Sequence, residues 1–354
     1  MFFCAILKSI PYKVSARSKE YLLVATIADV ARLAGVAPST VSRVLNNSGY
    51  FSEETRQRIL AAVKELNYVP NVHAERLRTG MSKTIAFIIT DFTNPFWAEV
   101  ATGVEDVVWQ NGYDLILHNT AGDPERELVS IRGLRRRHVE GAIVPWVQGG
   151  WAELKALDEE GVCIVILGHA PEGYGFDVFA IDNVRGGYLA TEHLLQLGHQ
   201  RIAFISADFT REREWGYRMA MEKYGVAIDE TLVFREYAAS EFERGSIVVR
   251  RLLEQNELPT AIFAYNDVTA IGAWMELERH GLKIPDDISL VGFDDIPMSS
   301  LIRNGLTTIA LPHYEYGGAA AEFLFRRISE KRGSSGQRVI MHPELIVRGS
   351  TRPC

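Results

Sequence analysis

From Thr26 onward, apolar residues recur at helical spacing in three short stretches. TIADVARLAG (26–35) puts Ile27, Val30, Ala31 and Ala34 on one face, with Thr26 as cap, Asp29 in the first turn and Gly35 as the stop. In GVAPSTVSRVLNN (35–47), Pro38 opens a second helix at a position where its missing N–H costs nothing. Val41, Val44 and Leu45 form its buried stripe; Ser39, Thr40, Ser42, Arg43 and Asn46 occupy the other face. SEETRQRILAAVKELNY (52–68) predicts a third helix capped by Ser52, with Ile59, Leu60, Val63 and Leu66 as core positions. Pro70 breaks it. Asn71 can cap one or two further turns, with Ala74 and Leu77 on one side, before Thr79-Gly80.

After residue 83 the pattern changes to apolar runs alternating with amphipathic helices. TIAFIIT (84–90), YDLILHN (113–119), GAIVPW (141–146) and CIVILG (163–168) read as buried strands. RIAFIS (201–206), TAIFAY (260–265) and ISLVGF (288–293) form a second set. PFWAEVATGVEDVVWQNG and GGYLATEHLLQLGH are helical between them. Near-continuous strands separated by helices predict parallel sheets covered on both faces, hence two doubly wound lobes with ligands at the carboxyl ends of the strands.

The 354 residues allow two or three domains, and 47% apolar with 23% charged residues suits a globular protein. No apolar run reaches the roughly 18 residues of a membrane span, so no membrane partner is expected. Net charge is −7 but unevenly placed: residues 24–80 hold seven Lys/Arg against five acids, residues 81–354 hold 27 against 39. A mildly basic head thus precedes an acidic body, which permits DNA binding by the head without requiring it. Cys4, Cys163 and Cys354 lie far apart, in neither a metal-ligand nor a disulfide spacing. A reducing cytoplasm is the default. MFFCAILKSIPYKVSARSKEYLL lacks a basic n-region and a cleavage site, so it reads as a disordered tail or as an extension ahead of a start at Val24.

Two short helices joined by a glycine turn, supported by a third, describe a helix-turn-helix. Small helical bundles share that pattern, but a plain surface helix favours Glu and Lys. The short hydroxyl side chains and Arg43 suit phosphate oxygens and guanine edges instead. The stretch 68–83 is either a linker or a hinge ordering on DNA, with Leu77 as a minor-groove wedge.

In the body, DFTNPFW (91–97) follows the first strand, AYNDVTA supplies Asn266 and Asp267, and GFDD supplies Asp294 and Asp295. Phe96 and Trp97 read either as core aromatics or as faces for a ligand ring. Carboxylates beyond strands either accept from sugar hydroxyls or cap helices, and for Asp267 both remain open. RGLRRRHVE (132–140) reads as a solvated helix end rather than a nucleic-acid patch. No GxSxG, P-loop, HExxH or Cys/His metal spacing occurs, so no enzyme, metal or cofactor is expected.

TIADVARLAGVAPSTVSRVLNN, the Tyr68-x-Pro70-Asn71 step and Ala74-x-x-Leu77 resemble the lactose-repressor (LacI) family of bacterial regulators. The likeness continues through NPFWAEVATGVED, AIDNVRGGYLATEHLLQLGHQRIAFI, AYNDVTAIG, IPDDISLVGFDD and PELIVRGST, covering Thr26 to Thr351 in order. It implies an all-α helix-turn-helix head (24–70) after a 1–23 extension, then a hinge helix and linker (71–82). An α/β body of two periplasmic-binding-protein-like lobes (83–354) follows, for effector binding and dimerisation. The resemblance implies a cytoplasmic homodimeric repressor of pseudo-palindromic operator DNA, responsive to a small carbohydrate. Implied DNA contacts are Thr26, Ser39, Thr40, Ser42, Arg43, Asn46, Tyr50, Ala74, Leu77 and Arg78. Asn94, Phe96, Trp97, Asp182, Arg213 and Asp294 match the effector cleft, with Trp146, Asn266 and Asp267 as further candidates from their strand-end positions. The chain departs from the pattern at Glu75, where relatives often carry Arg, and at Ala37-Pro38, where Ala replaces a capping Ser and Pro a base-reading position. The rival fold-mate is a periplasmic-type sugar-binding protein without a regulatory role, which would lack residues 26–80.

Overall fold

The computed structural model describes residues 25–68, 81–145, 147–206, 211–235, 238, 240–330 and 336–354. The N-terminal extension, the hinge positions Ala74, Glu75, Leu77 and Arg78, and Trp146 lie outside the described residues. The chain divides into two compact units, Met1–Met81 and Ser82–Cys354.

In the first unit, α1 (Ile27–Ala34) starts with a capping box: the Thr26 hydroxyl accepts from the Asp29 N–H, and the Asp29 carboxylate accepts from the Thr26 N–H at 3.0 Å. It ends at Gly35, left-handed at φ 64°. The second helix, α2 (Pro38–Leu45), has Pro38 in its first turn and no side-chain cap. The third, α3 (Glu53–Glu65), is capped by Ser52 on the Thr55 N–H. Val30, Ala31, Ala34, Val41, Val44, Ile59 and Ala62 form the shared core. Leu60, expected inside, is 42% exposed. The inward stripe of α3 runs through Ile59, Ala62 and Val63, and Leu60 lies about 100° round the helix from Ile59.

The second unit contains two six-stranded sheets. Strands β1 (Thr84–Ile89), β2 (Asp114–Asn119), β3 (Gly141–Pro145), β4 (Cys163–Leu167), β5 (Asp177–Ile181) and β11 (Arg338–Met341) build the first, in the order β11-β5-β4-β3-β1-β2. All its described pairings are parallel. Strands β6 (Ile202–Ile205), β7 (Val233–Phe234), β8 (Ala261–Ala264), β9 (Ser289–Asp294), β10 (Thr307–Ala310) and β12 (Glu344–Ile346) build the second, in the order β12-β10-β9-β8-β6-β7. Only β12 runs antiparallel there. The run at 113–119, read as buried, forms the half-exposed edge strand β2; its position at the end of the sheet leaves Leu117 41% exposed.

The chain passes between the lobes three times: after β5 at Asp182, after β10 at Leu311-Pro312, and between β11 and β12 at His342-Pro343. Six helices meet in pairs. These are α4 (Pro95–Gln110) with α11 (His313–Ser329), α7 (Asn183–Gln196) with α8 (Arg211–Lys223), and α9 (Glu241–Leu253) with α10 (Asp267–Arg279). Each pair crosses on reciprocal glycines, Gly103 with Gly317, Gly187 with Gly216, and Gly245 with Gly272. A Cβ at any of the six would fall closer than 3.0 Å to a main-chain carbonyl oxygen of the partner helix. This close approach brings the N-terminal turns together, and Asn94, Asn183, Arg213, Glu241 and Asn266 sit at those turns. On the first lobe, α5 (Pro124–Arg137) packs on α6 (Trp151–Glu159). The basic run at its end is tied to acids, Arg132 to Glu153 at 2.9 Å and Arg135 to Glu160 at 2.5 Å.

Candidate functional site

The exposed face of α2 carries Ser39, Arg43 and Asn46, while Thr40 and Ser42 are half-buried. Arg43 Nη2 donates to Thr40 Oγ1 at 3.4 Å, and Asn46 Nδ2 donates to Ser42 Oγ at 3.3 Å. Thr40 and Ser42 thus accept bonds from within the helix, one of them from Arg43 itself, while Ser39 and the exposed Arg43 side chain face outward. Tyr50, in the turn before α3, is 94% exposed. Thr26 is bound up in its cap: its hydroxyl donates to Asp29 Oδ2 at 2.6 Å. That bond holds the Asp29 carboxyl below its usual range, and Arg32 pairs with it at 2.5 Å. The acid in the first turn of α1 is thus partly neutralised by its neighbour.

In the second unit, Asn94 caps α4 and Asn266 caps α10. Asn94 Oδ1 accepts from the Phe96 N–H at 3.0 Å; Asn266 Oδ1 accepts from the Thr269 N–H at 2.9 Å. With both oxygens fixed by the caps, both amide nitrogens point to one atom, Glu241 Oε2, at 2.9 and 2.8 Å. Glu241 Oε1 accepts from the Tyr265 hydroxyl at 2.6 Å. Glu241 opens α9 on the second lobe, whereas Asn94 belongs to the first, so this bond spans the two.

Arg213 lies beside this group, almost wholly buried. Its Nε donates to Asn183 Oδ1 at 2.9 Å, its Nη1 to the Tyr265 carbonyl, and its Nη2 reaches Asp294 Oδ1 at 3.5 Å. The guanidinium carbon sits 3.6 Å over the Phe293 ring. Asp294 and Asp295 both have positive φ, 110° and 60°. That turn costs non-glycine residues on the order of 1–3 kcal/mol each. It sends Asp294 to Arg213, while Asp295 pairs with Arg348 at 2.7 Å. Burial pushes the Asp294 carboxyl well above the usual range; Arg213 opposes this, and the charges of Asp267 and Glu241 add to it.

Other expected residues take different places. Phe96 belongs to the core, its ring held edge-on by Trp97 and His313, each with a centroid 4.9 Å away. Trp97 is half-buried and keeps an accessible surface. Asp182 caps α7 on the Arg185 N–H and stands 3.7 Å from His342, at two of the three interlobe crossings. Asp267, left open between ligand and loop roles, is fully buried and takes the loop role. Its Oδ2 accepts from the Ile296 N–H and the Ser299 hydroxyl, and its Oδ1 from the Thr308 hydroxyl. Both of its oxygens are thus engaged inside the second lobe.

Sequence reasoning missed Glu241 and Asn183. Glu241 follows Ser240 in SEFERG, where an acid after a capping Ser reads as an ordinary first-turn residue. Only the tertiary meeting of the α9–α10 pair with Asn94 reveals it. Asn183 is the first residue of α7 and gains meaning only when the Gly187–Gly216 crossing brings Arg213 to it.

Among the described residues no helix is long and apolar enough to cross a membrane, and no cluster of metal-ligating side chains occurs. Residues 26–71 match the bacterial regulatory proteins of the lacI family, and residues 191–351 match a periplasmic binding protein-like domain. The chain is 38% identical over 335 residues to the HTH-type transcriptional regulator DegA of Bacillus subtilis (strain 168), covering 93% of this chain and 98% of that one. Among solved structures it resembles the lac repressor dimer bound to operator and the anti-inducer ONPF, with a TM-score of 0.81 and 26% identity over 93% of this chain and 99% of that one. It also resembles the transcriptional regulator CelR–cellobiose complex, with a TM-score of 0.68 and 30% identity over 92% and 99%.

Proposed function

The chain belongs to the LacI family of bacterial regulatory proteins, and from that premise we propose that it is a cytoplasmic, homodimeric repressor. It is a DNA-binding transcriptional regulator with an effector cleft between two lobes. Two heads bind two half-sites of a pseudo-palindromic operator. Ser39 and Arg43 read base edges, with Thr40 and Asn46 close by; Thr26, Ser42 and Tyr50 meet the backbone, and Ala74, Leu77 and Arg78 the central minor groove. It is a regulator and not a catalyst.

The observation that carries this reading is the pairing, in one chain, of an exposed Ser39/Arg43 helix face with a cleft of converging polar groups. In that cleft Asn94, Asn183, Asn266, Arg213, Asp294 and Glu241 meet, and the half-buried Trp97 follows Asn94 in the first turn of α4. Amide donors, carboxylate acceptors and an aromatic face suit an uncharged carbohydrate. A phosphorylated or carboxylated ligand would add negative charge next to Glu241. Effector binding acts on DNA by preferring one of two lobe arrangements, which set the geometry between the two heads.

A gel-shift on the upstream DNA of the protein's own operon tests this, with and without candidate neutral sugars such as cellobiose. We expect a shift at moderate salt that a sugar alters. Absence of a shift on any upstream fragment defeats the regulator reading.

A further inference from the structure

We infer that Glu241 is an interlobe latch: its carboxylate ties the second lobe to the first through Asn94, and an effector oxygen that takes the same two amides displaces it. The inference rests on the effector-cleft reading above, but its test needs neither effector nor DNA, so the two fail separately. Three features carry it. First, Asn94 and Asn266 cannot turn their amides away without losing their caps, because each Oδ1 is taken by a helix N–H. Their Nδ2 groups are therefore fixed donors, one from each lobe, and both are satisfied by Glu241 Oε2. Secondly, the second lobe holds Glu241 firmly. Tyr265 donates to its other oxygen, the Thr269 hydroxyl donates to its carbonyl at 3.1 Å, and the Gly245–Gly272 crossing fixes the start of α9. Thirdly, among the described residues its one side-chain bond to the first lobe is that from Asn94. The carboxylate oxygen thus occupies the position from which a ligand oxygen would accept from both amides. The latch is discrete: one charge-assisted hydrogen bond made or broken.

The chemistry allows the donor and acceptor to be exchanged. Asn94→Asp keeps the α4 cap, since Asp caps as well as Asn, but sets a carboxylate against Glu241. Glu241→Gln keeps the side-chain length, and Asn266→Asp keeps the α10 cap. In the triple variant the amide introduced at position 241 donates its two hydrogens to the carboxylates introduced at positions 94 and 266, which restores both bonds with their direction reversed. Hydrogen exchange on the full chain reads the outcome at segments 91–97 and 240–244, with strands 85–89 and 261–264 as the reference. Asn94→Asp alone should speed exchange in both segments by about tenfold, the scale of a lost charge-assisted bond, and the triple variant should return it towards the wild-type rate. Wild-type exchange in Asn94→Asp, or a triple variant no slower than that single variant, overturns the latch. Recovery in the triple variant separates a lost latch from a damaged fold.

Discussion

Gly187 meets Arg213 backbone to backbone: a Cβ on Gly187 would fall closer than 3.0 Å to the Arg213 carbonyl oxygen. The contact carrying Arg213 is thus made by the absence of a side chain. Gly187→Ala must push α7 and α8 apart, and with them the guanidinium that reaches Asn183, Tyr265 and Asp294. Overpacking of this kind costs about 1–3 kcal/mol, which predicts a melting midpoint lower by roughly 2–10 °C. Gly133→Ala is the comparison, because a Cβ there meets nothing nearer than 4.0 Å and the residue sits inside a helix. It should hold or raise the midpoint, as helix propensity favours Ala over Gly. Equal midpoints for the two variants would remove the close-packing argument.

Asp267 gives the body a pH dependence of definite sign. Burial is the largest influence and lifts its carboxyl to about 6, against the opposing bonds from Ser299, Thr308 and the Ile296 N–H. The native state keeps this proton up to about pH 6, whereas the unfolded chain releases it near the ordinary value of 3.8. Its contribution is therefore fully present below the unfolded value and is lost as pH rises through about 6. The loss is on the order of 3 kcal/mol. Asp267→Asn imitates the protonated acid and should lack this slope. Asp294 is itself raised in part by the Asp267 charge, so the substitution relaxes it as well and the difference keeps the same sign. Urea unfolding at pH 4, 5.5 and 7 should show the variant gaining on the wild type as pH rises; parallel curves would contradict the assignment.

How far the molecule could be read from its sequence follows from where the determining physics lies. The apolar runs at 84–89, 141–145 and 163–167 are interior strands because parallel strands covered on both faces need continuous apolar residues. Strand β7 escaped because it is two residues long, and β5, β10, β11 and β12 because they are three to five residues long and mix polar with apolar positions, as in TTIA and RVIM. Their pairing is decided by neighbours, not by their own pattern. The Thr26–Asp29 cap and the Gly35 stop were legible since they are local. Glu241 and the three glycine crossings were not, because each becomes a feature only when a second helix arrives.

Ala37 leaves α2 without a side-chain cap, although its backbone already has the extended conformation of a cap residue, φ −74° and ψ 150°. Ala37→Ser should therefore add a bond to a first-turn N–H at no backbone cost. The expected gain is about 0.5–2 kcal/mol of head stability. Thr26→Ala should lose a similar amount, since it removes one half of the capping box. Hydrogen exchange of the α2 and α1 amides in the full chain reads both, as slower exchange in the first variant and faster in the second. A neutral Ala37→Ser would mean that Pro38 already satisfies all that the helix start requires.

Arg43 and Tyr50 should fail in different ways when removed. Arg43 stands on the exposed face of α2, and its planar fork can match the two acceptors of a guanine edge. Its loss should cost about 1–3 kcal/mol on the operator, roughly tenfold to a hundredfold in affinity, with far less effect on scrambled DNA. Arg43→Lys should recover little, because a point charge keeps phosphate attraction without the bidentate geometry. Tyr50 is nearly fully exposed and uncharged, so it contributes contact without counterion release. Tyr50→Ala should weaken operator and scrambled DNA by similar factors and leave the salt slope unchanged. Titrations of both DNAs at two salt concentrations separate these cases. If Arg43→Ala weakened both DNAs equally and flattened the salt slope, Arg43 would be a phosphate contact, and the reading of sequence would fall to Ser39 and Asn46.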